Sequence, residues 1–187
     1  FFLLIFSFLN IKIQHVEFFL WGLVIVNIYF LIKEKKYLFF FNSNFLIFYV
    51  VFISLSLNLA VDLKLGWDAQ NYWIIKTLNF IYDGGLQNLQ NIPRPDYPYL
   101  GSYLWAVFSK FSFLEYEYFG RIFYIYIFTL SIFTVANYFK VKEIYKVIIF
   151  LTLIIVLNSS YFFSGYQEVL VFSYSIFLTC FFVEFQK

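Results

Sequence analysis

Apolar residues run almost without interruption through this chain, and a few polar breaks divide it into segments of membrane-crossing length. The runs are 18–32, 45–61, 119–139, 147–163 and 169–183, with a further apolar piece, 1–11, at the start. A helix of roughly 17 to 25 such residues crosses a hydrocarbon core about 30 Å thick. The pattern predicts six spans, the first partial, in a single all-α, polytopic transmembrane domain covering 1–187. The runs are apolar on every face rather than alternating, which excludes a transmembrane β-barrel.

One stretch departs from this pattern. Residues 62–98, DLKLGWDAQNYWIIKTLNFIYDGGLQNLQNIPRPDYP, hold all four aspartates and all three prolines of the chain. A loop this polar between spans belongs in water or at the membrane surface. Inside it, Ile74, Ile75, Leu78, Ile81 and Tyr82 fall at i, i+1, i+4, i+7 and i+8. That spacing predicts an amphipathic helix over 69–83, lying on the membrane with Lys76, Asn79 and Asp83 on its outer face. The three prolines rule out helix across 93–98 and predict a stiff turn that presents Arg94 and Asp96. Tyr99 to Phe111 is apolar but too short to cross, so it reads as an interfacial helix with Tyr and Trp at headgroup level. The whole loop is taken as 62–118.

Composition agrees with a membrane protein. With 63% hydrophobic, 27% aromatic and 13% charged residues, and a mean hydropathy of +0.78, too little polar surface is left for a soluble domain. Lysine placement sets an orientation, because cytoplasmic loops are enriched in Lys and Arg. The short loops 33–36 and 140–146 carry three lysines each, whereas 164–168 carries none. Lys64, Lys76, Arg94, Lys110 and Arg121 are spread more thinly over the long loop and its flank. Loop 62–118 and the turn SGYQE (164–168) are therefore placed together on the extracytoplasmic side. The net charge of +2 comes without a basic cluster, so nucleic acid is not an expected partner. Cys180 is alone, and the one histidine, His15, lies on a short polar turn. Neither a disulfide framework nor a zinc spacing is present. There is no Gly-rich phosphate loop and no serine nucleophile elbow. The start at Phe1 inside an apolar run, the abrupt end at Lys187 and the absence of Met lead to the expectation of a fragment whose missing parts hold further helices.

Six residues are candidates for chemistry. Asp68 precedes the surface helix and is either its N-cap or a general base that takes a proton from an acceptor hydroxyl. Lys76 is either solvated on the outer face or neutralises a phosphate. Arg94 and Asp96 sit on the proline turn. Arg121, one turn into its span, either snorkels to the interface or binds anionic substrate. Glu168 heads the last span, where a carboxylate complements the helix dipole by about 0.3–1 kcal/mol, or else joins Asp68 and Arg121 in one pocket.

The series GWDAQNYWIIKTLNFIYDGG, RPDYPYLGSYLWAVFSKF, EYFGRIFYIYIF and SGYQEVLVFSYSIF resembles the polytopic bacterial membrane glycosyltransferases of the GT-C superfamily, related to protein mannosyltransferases and aminoarabinose transferases. The order and spacing of the segments carry the resemblance, over residues 45–185. It implies that Asp68 is the catalytic carboxylate, that Arg94 and Asp96 belong to the proline turn, that Arg121 lies on the phosphate side and that Glu168 is the second acidic position. Arg94 stands where one branch commonly has His, and Gln167-Glu168 replaces Ala-Asp. The implied reaction moves a sugar from a polyprenyl-phosphate donor to an extracytoplasmic acceptor, whether lipid, glycan or protein, at a bacterial inner membrane. A divalent cation is compatible with this chemistry but no spacing calls for one, and protein partners are unspecified. The competing reading is a non-enzymatic transporter or flippase of cell-envelope precursors; the confinement of every proline to the loop favours the enzyme, since transporters use broken spans.

Overall fold

The computed structural model describes residues 2–37, 42–82, 84–111, 116–158 and 161–185. These residues form α1 (Phe2–Phe8), α2 (Ile13–Lys33), α3 (Ser43–Val61), α4 (Ile74–Ile81), α5 (Leu100–Phe111), α6 (Glu117–Tyr138), α7 (Glu143–Asn158) and α8 (Glu168–Phe185). A π-helical turn, Ala69–Trp73, leads into α4, and 3₁₀ turns occupy Leu86–Asn91 and Tyr161–Phe163. Among the described residues there is no strand. Helices α2, α3, α6 and α8 are each long and apolar enough to cross a membrane. The chain is an all-α integral membrane protein.

Local chemistry sets several helix ends. Asn42 caps α3, its Oδ1 accepting from the N–H of Asn44 at 2.7 Å and of Phe45 at 3.4 Å. Helix α7 stops at Asn158 after 16 residues, a rise of about 24 Å, and the Tyr161–Phe163 turn intervenes before α8.

Helix α6 is the axis of the fold, packing against α3, α5 and α8. Lipid tails are as apolar as leucine, so apolar contact drives association weakly here, and close packing with polar links holds the helices. One such link closes the end bearing 140–146. The buried Lys146 donates from Nζ to Asn44 Oδ1 at 2.8 Å and to Asn137 Oδ1 at 2.5 Å, and Ser43 Oγ donates to Glu143 at 2.8 Å. Helices α3, α6 and α7 are thereby joined.

At the opposite end the loop segments are part of the packed interior. Helix α5 begins within a residue of the expected Tyr99, but Ser102 through Val107 are all buried, because α1 and α2 cover one side and α6 the other. Tyr103 and Trp105, expected at headgroup level, are 2% and 0% exposed. The face of α4 is also corrected. Ala69, Trp73, Lys76, Thr77 and Phe80 point inward, at i, i+4, i+7, i+8 and i+11, so the face expected outside is the interior one, and Leu78 and Tyr82 of the expected membrane-facing stripe stay on the outside of the fold, 39% and 79% exposed. Lys76 is not on an outer face; Asp83, expected beside it, lies outside the described residues.

Candidate functional site

The two segments expected to share a side do meet. Gly66 N–H donates to the carbonyl of Ser164 at 2.9 Å, and a Cβ at Gly66 would strike the Tyr166 ring at 2.3 Å. Gly165 adopts φ +95°, and a Cβ there would meet Trp105 at 2.7 Å and Ala69 at 2.8 Å. Only glycine allows both the left-handed backbone and this closeness. The SGYQE turn is thus seated on the π-turn and on α5.

A groove of about 840 Å³ opens beside this junction, between α5 and α8 and under the proline turn. Its wall along α8 runs from Glu168 to Leu178, a rise of about 15 Å of helix. Val171, Phe172 and Leu178 on that wall are 66%, 47% and 57% exposed, so the groove opens sideways, where a spanning helix meets lipid tails. Trp73, Tyr97, Gln167 and Glu168 form its polar end.

That end is held in shape and still has bonding capacity to spare. The Trp73 carbonyl accepts from the hydroxyls of Thr77 at 2.9 Å and Ser102 at 3.1 Å, which fixes the residue between α4 and α5. Its indole N–H is buried without a partner among the described residues. Gln167 meets the Tyr124 hydroxyl at 3.1 Å through one end of its amide, and the other end is unpartnered. Buried donors normally find acceptors. Trp73 and Gln167, two residues that line the apolar groove, thus each carry a buried donor without a partner among the described residues.

Lys76 holds the proline turn. Its Nζ donates to the carbonyls of Arg94 at 2.6 Å and Tyr97 at 2.8 Å, and it lies 5.7 Å from the ring centroids of both Trp73 and Tyr97. Burial lowers its pKa, against the opposing pull of Asp96. Arg94, at φ +54°, is exposed, and its guanidinium lies 5.6 Å from the Tyr97 ring. Asp96 is exposed on the same turn.

Arg121 does not snorkel; it is 0% exposed. Nη2 donates to Glu117 Oε2 at 3.0 Å and to the Leu63 carbonyl at 2.9 Å, and Nη1 lies 3.5 Å from the Lys64 carbonyl. Nε forms an ion pair with Glu117 Oε1 at 2.8 Å, bent away from hydrogen-bond geometry. Asp68 is half-buried, adopts helical φ and ψ, and makes no capping hydrogen bond. The N-cap reading of Asp68 therefore fails: the helical turn has already begun at Trp67.

Of the six residues singled out in the sequence, Glu168 alone lines the groove, and Arg121 belongs to a separate cluster with Glu117. Arg94 and Asp96 stand on the turn that roofs it, and Lys76 secures that turn. Sequence reading passed over Trp73, Tyr97, Gln167 and Glu117. Only Glu117 had a signal there, the i, i+4 spacing to Arg121. Among the described residues no group of three or more His, Cys, Asp or Glu side chains could hold a metal ion. No family model matches the chain, and neither a curated protein nor a solved structure is significantly similar to it.

Proposed function

We propose that this chain belongs to a membrane glycosyltransferase of the GT-C type, one that takes a sugar from a polyprenyl-phosphate donor to an acceptor on the extracytoplasmic face of a bacterial inner membrane. The observation that carries the reading is the lateral groove: an apolar wall of spanning helix topped by the unpartnered donors of Trp73 and Gln167. A polyprenyl chain lies along the wall with its phosphate and sugar at the Trp73–Gln167 end, and the two buried donors reach those oxygens once their side chains turn toward the groove. The resemblance of the loop segments supplies the reaction.

In that reaction the acceptor oxygen displaces the polyprenyl phosphate from the anomeric carbon, and a carboxylate takes the acceptor proton. Asp68 is the base by resemblance, with Glu168 the second acidic group, at the groove mouth. Arg94 replaces Arg121 and Lys76 as the phosphate-side cation, since the N–H groups of those two are turned to Glu117 and to backbone carbonyls. A cation beside the leaving phosphate stabilises the charge that develops there.

The test is polyprenyl phosphate binding to the full chain in nanodiscs. Leu178→Trp, in the groove wall, is expected to weaken binding by about tenfold or more, as filling a preformed apolar site does. Ile155→Trp, 73% exposed on α7, serves as the control and is expected to leave it unchanged. Equal binding in all three proteins would sink the reading. Binding without any glycan transfer in membranes would turn it toward the transporter or flippase.

A further inference from the structure

We infer that Lys76 is a positioning residue, whose buried ammonium sets the proline turn 93–98 and through it the mouth of the groove. The inference rests on the groove reading above and adds a part that touches neither sugar nor phosphate. Four observations converge on it. Lys76 is 0% exposed, yet it stands in a short helix of the loop, where a lysine would ordinarily reach water. Its bonds go to Arg94 and Tyr97, the first and last residues of the tight turn that the Tyr97 N–H closes onto the Arg94 carbonyl at 3.1 Å. Arg94 is in the left-handed region, a conformation a non-glycine residue keeps only where its surroundings enforce it. The two aromatic rings flanking the ammonium, Trp73 and Tyr97, are themselves groove residues.

The geometry assigns each group a task. The proline ring of Pro95 stiffens the turn without anchoring it, and the ammonium, with three donors and no acceptor, anchors it through two carbonyls. Cation–π attraction draws the ammonium to Trp73 and Tyr97, whose rings pack against each other with centroids 5.5 Å apart. Without the ammonium the Tyr97 carbonyl loses its bond, Arg94 relaxes from φ +54°, and Tyr97 swings relative to Trp73. Asp96 is the acidic group that acts on the ammonium; Arg94, Tyr97 and Tyr99 on and beside the turn, Asp68 and Tyr72 on the π-turn segment, and Tyr103 and Lys110 on α5 are further ionisable groups on the segments packed around α4.

The experiment follows the full chain in nanodiscs, labelled with 5-fluorotryptophan and assigned by single Trp→Phe variants, with polyprenyl phosphate as probe. In Lys76→Met, which keeps the stem but not the ammonium, the Trp73 fluorine resonance is expected to shift and broaden. The Trp105 resonance and the helical content are expected to stay as they are. Probe binding is expected to weaken about tenfold, the scale of one lost charge-assisted bond. Lys76→Gln retains N–H donors and is expected to recover most of both signals. A Trp73 resonance unchanged in Lys76→Met overturns the inference, whatever happens to binding. If the resonance moves but the unmodified protein never binds polyprenyl phosphate, the groove reading falls and the positioning of the turn by Lys76 stands.

Discussion

Two cations lie fully buried at the loop end of the bundle, and they are buried in different ways. Arg121 has a carboxylate one helical turn away and two backbone carbonyls, Leu63 and Lys64, on the segment leaving α3. Its charge is matched locally, and the cluster ties the head of α6 to the end of α3. Among the described residues Lys76 has carbonyls and aromatic faces at close range, with Asp96 acting from the turn. Its charge is solvated by dipoles rather than balanced, so burial drives its pKa down. A matched pair is a joint; a dipole-solvated ammonium holds a segment whose place is set by that one group. The resemblance to glycosyltransferases implied the phosphate side for the arginine, and the residue pattern left the lysine between a solvated outer face and a phosphate. The geometry turns the arginine into framework and the lysine into the support of the groove mouth.

Removing the joint should do the most damage. Arg121→Leu strands the Glu117 carboxylate and two carbonyls, and breaking one side of a buried pair costs about 3–5 kcal/mol. Glu117 is 30% exposed, which puts the expected loss at the lower end of that range. The double variant Glu117→Gln/Arg121→Leu should lose less than the sum of the single losses in detergent thermal unfolding. Strict additivity would show that the two groups do not act as a pair. Next in size is Gly165→Ala, which forces a side chain into φ +95° and against Trp105 and Ala69. It should cost about 1–3 kcal/mol and loosen the seat of the SGYQE turn; an unaltered melting temperature would refute the tight junction. Lys76 supplies a smaller, pH-dependent effect. Its folded pKa lies below the ordinary 10.5, so between the two values the unfolded chain holds more protons, and stability rises with pH across that window. Unfolding measured from neutral to alkaline pH should show this rise in the unmodified protein relative to Lys76→Met. A falling difference would reverse the assignment.

Much of the fold was legible because the hydrophobic runs are long. Spanning helices announce themselves by length alone, and α2, α3, α6 and α8 stand where those runs lie. Lysine placement put 62–118 and 164–168 on one side, and the contact of 66–69 with 164–166 became visible only in the fold. Side-chain orientation in the loop was not. The stripe through Ile74 and Leu78 satisfied a surface-helix pattern, but the face through Trp73, Lys76 and Thr77 had polar partners waiting on residues 18 to 29 positions away, at Arg94, Tyr97 and Ser102. Periodicity carries no information about such partners, so a lysine that completes an interior looks like one that points to water. For the same reason α5 read as interfacial: its length excluded a span, and nothing local showed that α1, α2 and α6 would enclose it. Trp73 and Gln167 became site residues through unmet hydrogen bonds, a property that exists only once the chain is folded.

The smallest structural effect is the most informative for function. Asp68 makes no capping bond, and its carboxylate is half-buried at the start of the π-turn segment whose last residue, Trp73, lines the groove. A first-turn carboxylate without a capping bond stabilises the helix through the dipole alone, so Asp68→Asn should change unfolding stability by no more than about 0.5 kcal/mol. If this carboxylate takes the acceptor proton, the same change should lower glycan transfer in membranes by about 10²–10⁴. The contrast with Arg121 is then complete: Arg121→Leu lowers transfer only by lowering the amount of folded protein, and Asp68→Asn lowers transfer per folded molecule. Transfer per folded molecule that survives Asp68→Asn would remove Asp68 from the mechanism and leave Glu168, at the groove mouth, as the carboxylate to test.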